Sequence, residues 1–163
     1  MAVILIDILS NLLRRDSARA TADRRLADWL QQGFRCQREG EHARARQLFE
    51  RVLEAAPDNV DAHYLLGALL GEHGDPGQAA VHLERAIAIK PDFADAHAAM
   101  GNVRMLLHDK VAARSSYEQA ARLDPDNAAI HSNLGLLYQS IGMHVAALKE
   151  FQISYRLAPK LQD

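Results

Sequence analysis

Eight histidines and one cysteine are the side chains of this 163-residue protein best suited to metal or nucleophile chemistry. His63, His97 and His131 fall in register, each 34 residues from the next. Packed helices sit about 8–10 Å apart, so equivalent places on stacked helix pairs are roughly 10–20 Å from one another. Zinc holds its ligands at about 2 Å, and three imidazoles so spaced cannot share one ion. They are read as packing residues. His42, His73, His82, His108 and His144 fall near helix ends or on outer helix surfaces. A single cysteine, Cys36, excludes an internal disulfide and any cysteine-cluster metal centre. It is expected to be buried in a helix and inert. No His-Glu-x-x-His, P-loop or Gly-rich dinucleotide motif is present. Gly71, Gly74 and Gly77 punctuate a turn rather than cradle a phosphate. No Cys–His or Ser–His–Asp set can be nominated, so no catalytic residue, metal or cofactor is expected.

Charge narrows the partner classes. Lys and Arg number 19 against 21 Asp and Glu, a net charge of −2, which argues against a nucleic-acid binder working by bulk charge. Residues 1–51 carry ten Arg against seven acids, and residues 52–163 carry nine bases against fourteen acids. Arg44, Arg46 and Arg51 alternate with Glu41 and Glu50, the pattern of a solvated, salt-bridged face. There is no run of 18 apolar residues, so no spanning helix and no membrane partner are expected, and the chain is read as cytoplasmic.

The elements that must position any site are written in a ladder. Pro57, Pro91, Pro125 and Pro159 are spaced by 34 residues. Gly33, Gly67, Gly101 and Gly135 repeat the interval, as do Ala45, Ala79, Ala113 and Ala147. Phe49, Leu83, Tyr117 and Phe151 add a large residue in the same phase. A fixed period of 20–50 residues signals a repeat architecture. Cut at this period, the repeats are 26–59, 60–93, 94–127 and 128–161, each reading as two helices and two turns. In the second, Asp58 or Asn59 caps a helix to about His73, Gly74 ends it, and Asp75 caps a second helix with Pro76 at its first position. That helix runs to about Lys90. The glycine of the first helix admits the second closely, and the large residue fills the space between them. One pair cannot bury its apolar stripe alone, so pairs must stack.

These residues resemble the tetratricopeptide repeat (TPR) family. Trp29, Gly33, Ala45, Phe49 and Pro57 stand where that signature has its Trp, Gly, Ala, Phe and Pro. The resemblance covers roughly residues 24–161 and implies an all-α, right-handed α-solenoid of helix-turn-helix repeats. Departures are Gln32 before Gly33, Cys36 at an aromatic place, Arg104 at an apolar one, and His108 in place of the inter-helix glycine. The third repeat is therefore expected to be the loosest, because its turn lacks a residue that takes a left-handed conformation cheaply.

Residues 1–25 lie outside the repeats as an N-terminal amphipathic helix or capping segment. Leu5, Ile8, Leu9 and Leu12 form a stripe at helical spacing, followed by Arg14, Arg15, Arg19, Arg24 and Arg25. Three readings stand: a helix on the open end of repeat one, a helix on another chain, or a signal peptide or membrane-surface anchor. After Pro159 no further helix is expected, although repeat arrays commonly need an end cap. Two uncovered apolar surfaces, the N-terminal helix and the last repeat, predict self-association.

The resemblance also implies where a partner would lie. First helices of TPR pairs line a concave face, with groove-facing residues at the second, fifth, sixth, ninth, twelfth and thirteenth places. The candidate partner-binding residues are Leu30, Phe34, Tyr64, Asn102, Met105, Asn133 and Gln139. Chaperone-binding members grip a carboxylate with Lys and Asn, where this chain has Leu30, Phe34, Leu65, Asp95 and Ala99, so that clamp is absent. Asn133 resembles an asparagine that holds peptide backbone in arrays attached to O-linked N-acetylglucosamine transferases, without the repeat-by-repeat ladder. The expected function is a non-enzymatic scaffold that binds a protein or peptide segment, or a helix, in the groove. The alternative is the recognition array of a larger enzyme such as a glycosyltransferase, sulfotransferase or methyltransferase.

Overall fold

Among the described residues eight helices form: α1 (Ala2–Arg38), α2 (His42–Ala55), α3 (Val60–Glu72), α4 (Pro76–Ile89), α5 (Ala94–Leu106), α6 (Lys110–Leu123), α7 (Ala128–Ser140) and α8 (His144–Leu157). The computed structural model describes the backbone of residues 2–158 and the side chains of residues 20–158. Pro159 and the side chains of Leu5, Ile8, Leu9 and Leu12 lie outside that range. No strand occurs among the described residues, and the fold is an all-α solenoid of helix-turn-helix repeats. Residues 2–25 and the first helix of repeat one form one continuous helix, α1.

Side-chain caps start four of the helices. Asn59 Oδ1 accepts the Ala62 N–H at 2.9 Å, Asp75 Oδ1 that of Gln78 at 2.9 Å, and Asp109 Oδ1 that of Ala112 at 3.0 Å. Asn127 Oδ1 takes the N–H groups of Ala129 and Ile130. Each such cap contributes about 1 kcal/mol. Pro76 opens α4, where its missing N–H leaves no bond unmade. Three of the four turns within pairs use glycine at positive φ: Gly40 at 81°, Gly74 at 107° and Gly142 at 78°. His108 takes the same path at φ 60°. The third turn is thus closed like the others, with Asp109 N–H donating to Arg104 O at 2.9 Å, and it holds strain instead of looseness.

The ladder's glycine and large residue face one another directly. A Cβ at Gly33 would fall 2.5 Å from the Phe49 ring, at Gly67 2.7 Å from Leu83 Cγ, at Gly101 2.5 Å from the Tyr117 ring, and at Gly135 2.6 Å from the Phe151 ring. Only hydrogen fits there, which brings the two helices of a pair together. Phe49, Leu83 and Tyr117 are buried as a result, and so are Ala45, Ala79, Ala113 and Ala147.

Contacts divide the chain into two units. Residues 1–57 contain α1 packed on α2. Residues 58–163 contain three pairs, with α4 against α5, α6 against α7, and α5 also touching α3. Inter-pair bonds recur in register: Arg104 Nη2 donates to Glu84 Oε1 at 2.9 Å, and 34 residues on, Tyr138 OH donates to Glu118 Oε1 at 3.0 Å. The in-register histidines are bonded as well as packed. His97 Nε2 donates to Pro91 O and His131 Nε2 to Pro125 O, both at 2.9 Å. The backbone carbonyls before α5 and α7 thereby gain partners they would otherwise lack.

Candidate partner-binding groove

Helical spacing puts residues three, four, seven and eleven apart on one face. On α3 that face carries Asp61, Tyr64, Ala68 and Glu72; on α5, Asp95, Ala99, Asn102 and Leu106. On α7 it carries Ala129, Asn133, Leu136 and Ser140. Between them lies an open cavity of about 420 Å³. Ala68, Gly71 and Glu72 form its α3 wall, and Asn133, Leu136 and Leu137 its α7 wall. Ala99, Asn102, Val103, Met105 and Leu106 of α5 run along the middle, with Tyr117 reaching in from α6.

Three expected site residues, Asn102, Met105 and Asn133, are brought together here. Tyr64 is not in the lining; it is half-buried, its ring tilted by 52° against that of Phe93 with centroids 4.9 Å apart. Gln139 is exposed in the last turn of α7 and does not line the cavity. Leu30 and Phe34 belong to the other unit, on α1. Leu30 is half-buried, and Phe34 is 50% exposed on a surface shared with Asp28, Gln31, Arg35 and Arg38. Glu72 and Leu106 were legible from the thirteenth place of the repeat. Val103 and Leu137 were not, because they are buried on the inter-helix side and still floor the cavity. Tyr117 had one signal: a hydroxyl at a ladder place held elsewhere by Phe or Leu.

That hydroxyl donates to Asn102 Oδ1 at 2.6 Å, and Asn133 Nδ2 donates to the same oxygen at 3.3 Å. The Asn102 amide N–H groups and the Asn133 side-chain carbonyl make no hydrogen bond among the described residues. The pair therefore presents donors and an acceptor side by side, the complement of a peptide unit. Burial pushes the Tyr117 phenol up to about 12, so it stays a donor through the neutral range. Burial first, then the Asp95 and Glu72 carboxylates, raise the Tyr64 phenol above its usual value. No group of three His, Cys, Asp or Glu among the described residues could hold a metal ion. Among them, too, no helix is long and apolar enough to cross a membrane.

Residues 37–103 match the family model described as tetratricopeptide repeat, and residues 112–142 one described as TPR repeat. No curated protein matches the chain in sequence. Among solved structures, MamA matches with a TM-score of 0.73 and 23% identity over 83% of this chain and 79% of that one. A MamA structure from residue 41 to the end, from Desulfovibrio magneticus RS-1, matches with a TM-score of 0.74 and 23% identity over 96% and 94%. A mutant O-GlcNAc transferase of Thermobaculum terrenum matches with a TM-score of 0.75 and 31% identity over 80% of this chain but 26% of that one. The first two likenesses establish fold alone.

Proposed function

Because the chain belongs to the tetratricopeptide repeat family, we propose that it is an interaction scaffold whose α3–α5–α7 groove takes a peptide segment or helix from a partner protein. The observation that supports this reading is the cavity lined by Asn102 and Asn133, which present amide donors and an acceptor among apolar walls. Apolar side chains of the ligand would fill the space beside Met105, Leu106 and Leu136, and the amides would bond its backbone. A buried Leu or Met anchor contributes about 1.5–3 kcal/mol. Two anchors barely offset the lowest estimates of association entropy, about 4 kcal/mol, so the backbone bonds are needed and binding is expected to be weak. Tyr64 and Gln139 flank the cavity along the same helices, and Leu30 and Phe34 hold equivalent places in the first repeat, where the same role is proposed.

The test is an immobilised array of random 12-residue peptides probed with the purified chain. Wild type should select peptides, and simultaneous alanine replacement of Tyr64, Asn102, Met105 and Asn133 should abolish selection while the circular dichroism spectrum is kept. Unchanged selection by the folded variant would move the binding face elsewhere.

A second reading, the recognition array of a glycosyltransferase, is supported by the 31% identity to the O-GlcNAc transferase, of which this chain spans about a quarter. Fusing the chain to a transferase catalytic domain should then redirect that domain to peptides the array selects.

A further inference from the structure

The groove carries charge of one sign. Across α3, α5 and α7 the acidic residues are Asp61, Glu72 and Asp95, and the one Lys or Arg is Arg104. Arg104 is not available to the groove, because its guanidinium is held by Glu84 of α4 at 2.9 Å. Asp61 and Asp95 occupy the same place in successive repeats, in the first turns of α3 and α5. Both are exposed, and neither makes a hydrogen bond or ion pair among the described residues. Glu72 closes the far end of the α3 wall. Burial first, then the negative charge of Asp95 and Glu72, raises the Tyr64 phenol on this face. The α7 side differs: its groove residues are Ala129, Ser132, Asn133, Leu136 and Gln139, all neutral.

We infer that the groove's partner is a basic segment, with Lys or Arg placed beside Asp61 and Asp95 in the first turns of α3 and α5, and neutral apolar residues lying over the cavity between α5 and α7. This rests on the groove-binding reading and specifies its ligand. The apolar cavity supplies the anchors, and the acids set which segments enter and in which direction. Like charge in the ligand would be repelled from Asp61 and Asp95. Exposed pairs of this kind are each worth about 0.2–1 kcal/mol, roughly a 1.4- to 5-fold change in affinity, and are screened by salt. The acids therefore act on selection and arrival more than on total affinity.

Three fluorescein-labelled 10-residue peptides test this. They share one leucine-containing neutral half, and the other half carries three Arg, three Gln or three Glu. Fluorescence anisotropy at 25 mM salt should show the Arg peptide at least 5-fold tighter than the Gln peptide and the Glu peptide weaker still. Raising salt to 250 mM should bring the three together. In the Asp61→Asn/Asp95→Asn double variant the Arg peptide should bind within 2-fold of the Gln peptide. Equal binding of all three by wild type, or a preference for Arg that survives the double substitution, would overturn the inference and leave the groove reading standing. Binding of none of the three would overturn both.

Discussion

Replacing Gly101 with alanine tests the packing logic of the whole ladder. The added Cβ would fall 2.5 Å from both Tyr117 Cδ1 and Cε1, and 2.8 Å from Cζ. Ordinary carbon contacts lie near 3.5–4.0 Å, so about 1 Å of relief is needed. The ring cannot swing away freely: it is buried, and its hydroxyl is tied to Asn102 at 2.6 Å. Relief must come from separating α5 and α6, at an overpacking cost of about 1–3 kcal/mol. Against it stands the better helix propensity of alanine, worth up to about 1 kcal/mol. The net expectation is destabilisation by about 1–2 kcal/mol. Gly77→Ala is the control, because there the nearest atom is Asp75 Oδ1 at 3.7 Å and φ is not positive. The same chemical change at Gly77 should stabilise by about 0.5 kcal/mol or more. For a chain of this length each kcal/mol moves the melting temperature by about 2–4 °C. Thermal unfolding followed by circular dichroism should place the two variants on opposite sides of wild type. A Gly101→Ala variant as stable as Gly77→Ala would refute the close approach of α5 and α6. So would strict additivity with Tyr117→Ala, since residues in contact must couple.

His108 at φ 60° bears a strain that glycine would not, so His108→Gly should raise stability by about 0.5–1 kcal/mol in urea unfolding, and His108→Val should lower it; no change in either would show the turn is unstrained. The Tyr117 phenol keeps its proton up to about 12 in the folded chain and loses it near 10 when unfolded. Its contribution to stability is therefore full below pH 10 and lost as pH rises through about 12, and Tyr117→Phe should flatten the fall in urea midpoint between pH 10 and 12. An identical slope in wild type and Tyr117→Phe would count against the burial. Leu148 is 60% and Tyr155 85% exposed on α8, so Leu148→Glu/Tyr155→Glu should reduce self-association in light scattering at high concentration, and a strictly monomeric wild type would remove the premise.

Much of this protein was legible from local rules. The 34-residue interval gave the pairs and their phase, because helix length, turn and cap repeat together along the chain. Asn59, Asp75 and Pro76 act where their types placed them, since a cap needs only residues three or fewer positions away. His108 was identifiable as an anomaly from the missing glycine alone. The helical period puts Asn102 and Met105, three residues apart, on one side of α5, which lines the cavity. What tertiary structure decided lies between elements. Sequence spacing treated Tyr117 as filler, yet its hydroxyl crosses to Asn102, 15 residues away, and Asn133 reaches the same oxygen from 31 residues away. Sequence treated the ladder histidines as packing, while His97 and His131 bond the carbonyls of Pro91 and Pro125. Tyr64 and Gln139 shared the groove's phase but not its cavity. Periodicity determines which face of a helix a side chain leaves from. Where that side chain ends, and which polar group it meets, depends on ångström-scale distances between helices, set only when the glycine of one helix closes on the large residue of the next.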